Sequence, residues 1–186
     1  YLTKFAEYVR EHLDPSLPIY LEYSNEAWNG RFDANKWLNE VHGGSGWSYY
    51  GEHAAHTFKV WHSAFGSDKG RVKRVLSGQK KNSGVLNKAI EKCKEAGGDF
   101  DFGSCASYWP TAKGVNFQAD GSGVPEAFLK EINDPNSETN ELIAKHADRI
   151  KKEGKGFVSY EGGPAGLPGA VASEVLIKGH RHPDME

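Results

Sequence analysis

The sequence predicts an α/β fold of about four parallel βα units, half of a TIM (β/α)8 barrel. Three observations predict it. Short β-rich runs alternate with segments of helical period, the order that makes βα units and a parallel sheet. Four such runs occur in the 186 residues, and four units are half of a closed barrel. Two of the runs deliver a glutamate to their C-terminal end, the face on which these barrels build their sites.

Taken in order, Tyr1–Leu13 sets Leu2, Phe5, Tyr8, Val9 and Leu13 on a helical stripe. The stretch Asp14-Pro15-Ser16-Leu17-Pro18 stops it. Ile19–Ser24 is the first strand. Arg31 to Phe65 is mostly helical, interrupted at Gly43, Gly44 and Gly46. Arg71–Ser77 is the second strand, Gly84–Ala96 a helix ending at Gly97-Gly98, and Phe100–Ser107 the third strand. A loop rich in glycine runs from Thr111 to Val124, followed by helices near Pro125–Ile132 and Glu138–Glu153. Gly156–Tyr160 is the fourth strand, and a last helix spans about Ala170 to Lys178. No internal repeat or low-complexity segment interrupts this alternation, so residues 1–186 read as a single piece of one domain.

Composition narrows the function classes. At 38% hydrophobic and 26% charged residues, the chain can bury an ordinary core. A formal net charge of −2 leaves no basic stripe for a nucleic-acid partner. No apolar run approaches the roughly 18–20 residues of a membrane span. The first residues lack a charged and then apolar leader and read as the middle of an amphipathic helix. The expectation is therefore a fragment whose main partner is the missing N-terminal half of the same barrel. Two cysteines, Cys93 and Cys105, are too few for a disulfide framework and are expected as buried free thiols. The eight histidines form no HExxH box, and there is no CxxC, so neither metal nor cofactor is expected. His53 and His56 are three apart on a helical stretch and could share a face, but a third ligand is missing.

The chemistry concentrates at two strand ends. Ile19-Tyr20-Leu21-Glu22-Tyr23-Ser24-Asn25-Glu26-Ala27-Trp28-Asn29 carries a strand straight into Asn-Glu. Phe157-Val158-Ser159-Tyr160-Glu161-Gly162-Gly163 again brings a glutamate to a strand end. Two carboxyls placed there suit cleavage of a glycosidic bond. One protonates the leaving oxygen, while the other attacks the sugar carbon or activates water. They need different environments, so that one stays protonated and the other ionised.

With its Asn25-Glu26 pair after a strand and Glu161 at the end of the third strand further on, the sequence resembles glycoside hydrolase clan A, the cellulase-like retaining glycosidases. The resemblance implies that Ile19–Ser24, Arg71–Ser77, Phe100–Ser107 and Gly156–Tyr160 are the fourth to seventh barrel strands. It implies a hydrolase cleaving a β-linked oligo- or polysaccharide by double displacement, with Glu26 as acid/base and Glu161 as nucleophile. Asn25 would then bind the substrate 2-hydroxyl, and Tyr108 would donate a hydrogen bond that keeps Glu161 ionised. The resemblance also implies a secreted protein. It leaves the sugar, the linkage and endo or exo action open.

Each residue also has a plainer reading. Glu26 could be an acid favoured by the positive end of the following helix, Glu161 a polar loop residue, and Tyr108 a packing residue. Trp28 and Trp109, with Trp47, Tyr49, Tyr50 and Tyr160, offer flat apolar faces to sugar rings or to loop packing. Trp37 and Trp61 are expected in the core. Alternation turns Glu22 away from the apolar set Ile19, Leu21 and Tyr23, where Arg74 is its expected ion-pair partner. A non-catalytic carbohydrate-binding barrel is the alternative function. A lyase or aldolase finds little support, because Lys73, the only lysine inside a predicted strand, lies well before the strand's end.

Overall fold

The computed structural model describes residues 1–110, 118–165, 174–175, 178–179 and 181–185. The chain is a mixed α/β protein with parallel strands, and it divides into two compact units. The first comprises Tyr1–Cys105 and Lys145–Val158, the second Ala106–Ala144 and Ser159–Glu186. Six helices are described, at Leu2–His12 (α1), Asp33–His42 (α2), Tyr50–Phe65 (α3), Ser83–Glu95 (α4), Val124–Asn133 (α5) and Glu138–Lys151 (α6). The strands are Ile19–Glu22 (β1), Val72–Gly78 (β2), Phe102–Cys105 (β3), Ser107–Trp109 (β4), Gly156–Val158 (β5) and Gly162–Pro164 (β6). All four expected strands are present, each within a few residues of its expected bounds. The helix expected over 170–178 lies for the most part outside the described residues, as do 111–117 of the Gly-rich loop.

The first unit holds a four-stranded, wholly parallel sheet in the order β1-β2-β3-β5. The register pairs Ile19 with Val72, Leu21 with Arg74, Leu76 with Gly103 and Gly103 with Phe157, so these residues share one face. Leu21, Val72 and Leu76 form one core with Ala6 of α1, Leu38 of α2, Phe58 and Trp61 of α3, Ile90 of α4 and Ile150 of α6. Helices thus cover one face of the sheet. Sequential parallel strands have this consequence when every crossover has the same hand, as βαβ crossovers nearly always do.

Close approaches fix the layers. A Cβ on Gly51 would lie 2.0 Å from the Ala89 carbonyl oxygen, so glycine lets α3 and α4 touch backbone to backbone. A Cβ on Gly103 would lie 2.2 Å from Ile150, where α6 seats on β3. The buried Tyr50 hydroxyl accepts a 3.0 Å hydrogen bond from the Ser77 amide of β2. Burial pushes its phenol far above the ordinary tyrosine range. Cys93 and Cys105 are buried thiols outside any disulfide, both raised by burial to about 11.

In the second unit β4 and β6 form a two-stranded parallel ladder that pairs Ser107 with Gly162, Tyr108 with Gly163 and Trp109 with Pro164. α5 begins with Pro125 in its first turn. Asn140 of α6 donates to the carbonyls of Ile132 and Asp134 at the end of α5 (2.8 and 2.7 Å), capping it.

Two expectations are corrected. The partner of Arg74 is not Glu22. Arg74 sits opposite Leu21, whereas Glu22 sits opposite Val75 on the other face. The Arg74 guanidinium instead makes a two-pronged pair with Asp101 (2.9 and 2.7 Å) and a 3.2 Å contact with Asp99, which also meets Lys155 at 2.9 Å. Alternation along β1 separates Glu22 from Leu21, but the register between strands, which decides facing pairs, is not in the sequence. Trp37 is not in the core; it is 45% exposed. α2 buries Asn35 and Leu38, three apart, and Trp37 falls outside that stripe. Trp61 is buried as expected.

Candidate active site

Beyond β1 the chain makes an abrupt turn. Ser24 and Glu26 have φ of 58° and 43°, the only positive φ among non-glycine residues of the described chain. Left-handed backbone crowds Cβ against the following carbonyl, at a cost of order 1–2 kcal/mol per residue. Such conformations persist where surrounding contacts force them, and here those contacts are visible. The Asn29 amide Nδ2 donates to Glu26 Oε2 at 2.6 Å, and the Asn29 backbone N–H donates to the Glu26 carbonyl at 2.7 Å. Asn29 Oδ1 accepts from the Arg31 amide at 3.1 Å, which orients its side-chain amide with the NH2 toward the carboxylate.

A second anchor comes from α2. Buried Asn35 donates through Nδ2 to the carbonyl of fully buried Ala27 at 2.9 Å. Asn39, one turn on, donates to Asn35 Oδ1 at 3.0 Å and accepts from the Gly46 amide at 2.8 Å. This file of amides ties the residue after Glu26 to the short turn Gly46–Tyr49 that leads into α3. Trp28 packs edge-on against Tyr50, with centroids 5.9 Å apart and planes at 80°, and stays half-buried at the core margin. Asn25 lies exposed between the two left-handed residues.

Glu161 belongs to the second unit, in the bend between β5 and β6. Its carbonyl accepts from the Ser107 amide (2.8 Å) and from Ser159 Oγ (2.7 Å). Ser107 Oγ and Ser159 Oγ also share a hydrogen bond. The β4–β6 ladder begins one residue after Glu161, where Gly162 pairs with Ser107. Trp109 is not in a loop as expected; it ends β4, and its indole Nε1 donates to Asn140 Oδ1 at 2.9 Å.

The predicted site residues therefore fall into two groups. Asn25, Glu26 and Trp28 stand together at the end of β1 in the first unit; Tyr108, Trp109 and Glu161 stand together around β4 and β6 in the second. The supporting roles of Asn29, Asn35 and Asn39 were missed. Asn29 was visible in the Asn-Glu-x-Trp-Asn run, and two asparagines four apart inside a helix were a signal, since asparagine favours caps and turns over helix interiors. Among the described residues no group of three or more potential ligands is placed to hold a metal ion, and no helix is long and apolar enough to cross a membrane. Lys73 bonds the Gly70 carbonyl at 2.8 Å, near the beginning of β2 rather than its end. The sequence matches no protein-family model and no curated protein.

Proposed function

We propose that this protein is a retaining glycosidase of the clan A kind, acting on a β-linked glycan with Glu26 as acid/base and Glu161 as nucleophile. The observation that carries the reading is the left-handed Glu26 at the C-terminal end of a parallel strand, held there by Asn29. Backbone of this kind clusters at active sites, where surrounding contacts hold it in place. Glu161 supports the reading by its place a few residues after β5.

The proposal extends to the fold. A sequential, wholly parallel sheet with helices on one face is what an arc of a (β/α)8 barrel looks like. Parallel sheets are covered on both faces, and barrel closure is the covering that needs no second layer of helices. The barrel half supplying the remaining strands is then the partner of this chain. A glycan polymer as substrate makes the protein a secreted one.

In the mechanism, Glu26 donates its proton to the glycosidic oxygen while a Glu161 carboxylate oxygen bonds to the anomeric carbon and the alcohol departs. Glu26, now ionised, takes a proton from water, and the resulting hydroxide displaces Glu161 from the sugar. Retention requires the two carboxyls about 5–5.5 Å apart.

The test separates the two roles by leaving group. Glu161→Gln is expected to abolish hydrolysis of every aryl β-glycoside. Glu26→Gln is expected to lose about 10²–10⁴-fold on poor leaving groups, yet far less on a dinitrophenyl glycoside, which departs without protonation. Equal, small losses for both variants on all substrates would overturn the reading. Glycan binding with no turnover in the wild type would favour the carbohydrate-binding alternative.

A further inference from the structure

Two histidines meet away from either group of site residues. His42 is the last residue of α2, and His53 lies in the first turn and a half of α3. Their Nε2 atoms are 2.8 Å apart, a hydrogen bond between imidazoles. Neither ring is free to swing. His42 lies flat on Tyr49, with centroids 4.0 Å apart and planes at 4°. His53 is sandwiched between Tyr23 beyond β1, stacked at 5.7 Å, and the edge of Trp37 of α2 at 5.0 Å.

The shared Nε2···Nε2 contact has a simple proton logic. A neutral imidazole donates through one nitrogen and accepts through the other, whereas an imidazolium only donates. The contact is therefore compatible with no added proton, or with one held on either ring. With two, both nitrogens carry hydrogen, and two positive rings face each other at 2.8 Å.

We propose that His42 and His53 form a pH-gated latch joining α2 to α3, closed with none or one proton on the pair and opened by the second. The surroundings set where the second proton enters. His53 is half-buried and lies below the ordinary histidine range, chiefly through burial and then through His42. On α3 itself, Glu52 favours its charge and His56 opposes it. Tyr23 from the end of β1 and Tyr49 from the turn before α3 supply only aromatic faces. Lys92 of α4 lies over the Tyr49 ring, 5.5 Å from its centroid, and adds positive charge on that side. Burial, His42 and His56 together outweigh Glu52 at His53, so opening falls at acidic pH.

The consequence is mechanical. α2 carries Asn35 and Asn39, which hold Ala27 and hence the turn bearing Glu26. Release of its last residue loosens the C-terminal end of the helix that positions this turn. The latch itself does not rest on the glycosidase reading.

An NMR titration from pH 8 to 4, following the imidazole C–H shifts and the amide exchange of α2, tests it. The expected result is two steps separated by more than about one unit, the lower one well under the ordinary histidine value of about 6.5. Across the lower step, α2 exchange corrected for its intrinsic pH dependence is expected to rise about tenfold, the equivalent of one hydrogen bond. In His53→Gln, whose side-chain oxygen accepts from His42 Nε2–H at any pH, the rise is expected to vanish. Both rings titrating together near 6.5, α2 exchange unmoved across the lower step, or His53→Gln behaving like wild type would each overturn the latch.

Discussion

At the scale of single residues, unusual conformations and paired charges make the sharpest predictions. Ser24 is exposed and left-handed, φ 58°. Ser24→Gly removes the Cβ that makes this conformation costly, and Ser24→Ala keeps it. The glycine variant is expected to be more stable than the alanine variant by about 1 kcal/mol in urea unfolding. Equal midpoints would show that the turn relaxes when its side chain changes. Asp101 belongs to a different site. Burial by itself raises its pKa, but the bonds from the Arg74 guanidinium and backbone N–H outweigh that and hold the carboxyl below its usual range. Asp99 is lowered in the same way, against burial, by Lys155 and Arg74. A depressed carboxylate contributes stability above its unfolded pKa, near pH 4, and that contribution is lost as pH falls through the lower folded value. Wild-type stability should therefore fall below about pH 4 more steeply than that of Asp101→Asn. At neutral pH the variant should be about 2 kcal/mol less stable.

At the scale of elements, small residues and amides decide how helices seat. Gly51 lies where α3 meets α4, and a methyl group there overlaps the Ala89 carbonyl. Gly51→Ala is expected to lower stability by about 1–3 kcal/mol through overpacking, although alanine is the better helix former. A thermal midpoint at or above that of wild type would mean that the two helices slide apart freely. Asn35 links α2 to the turn after β1. Asn35→Ala strands the buried Ala27 carbonyl, at a cost of about 1–3 kcal/mol. If the glycosidase reading holds, the same variant should lower kcat more than it raises KM, because it disturbs the aim of Glu26 rather than a contact with the sugar. Circular dichroism melts and steady-state kinetics on one preparation separate the two effects.

At the scale of the whole molecule, much of the architecture was legible from sequence alone. Strands at Ile19, Arg71, Phe100 and Gly156 follow from β-rich runs bounded by glycine, proline and aspartate. Helices follow from apolar stripes of helical period. Both signals are local, written within a dozen residues, and so they survive without any knowledge of the fold. That Glu26 and Glu161 each follow a β-rich run by a few residues is legible for the same reason. The facing pairs were not. Arg74 meets Asp101 rather than Glu22 because the stagger of neighbouring strands sets who lies opposite whom, and no local pattern records it. Trp37 lies on a helical stretch that suggests core packing, yet α2 turns Asn35 and Leu38 inward. The left-handed turn at Glu26, the amide file that holds it and the meeting of His42 with His53 join residues through contacts that form only once helix and sheet are packed. The sequence by itself determined which elements form and where the carboxylates fall along them, because backbone propensity and periodicity act over short range. Only the tertiary structure decided which side chains face one another and which backbone is forced from its preferred region, because register, helix rotation and close packing depend on residues far apart in the chain.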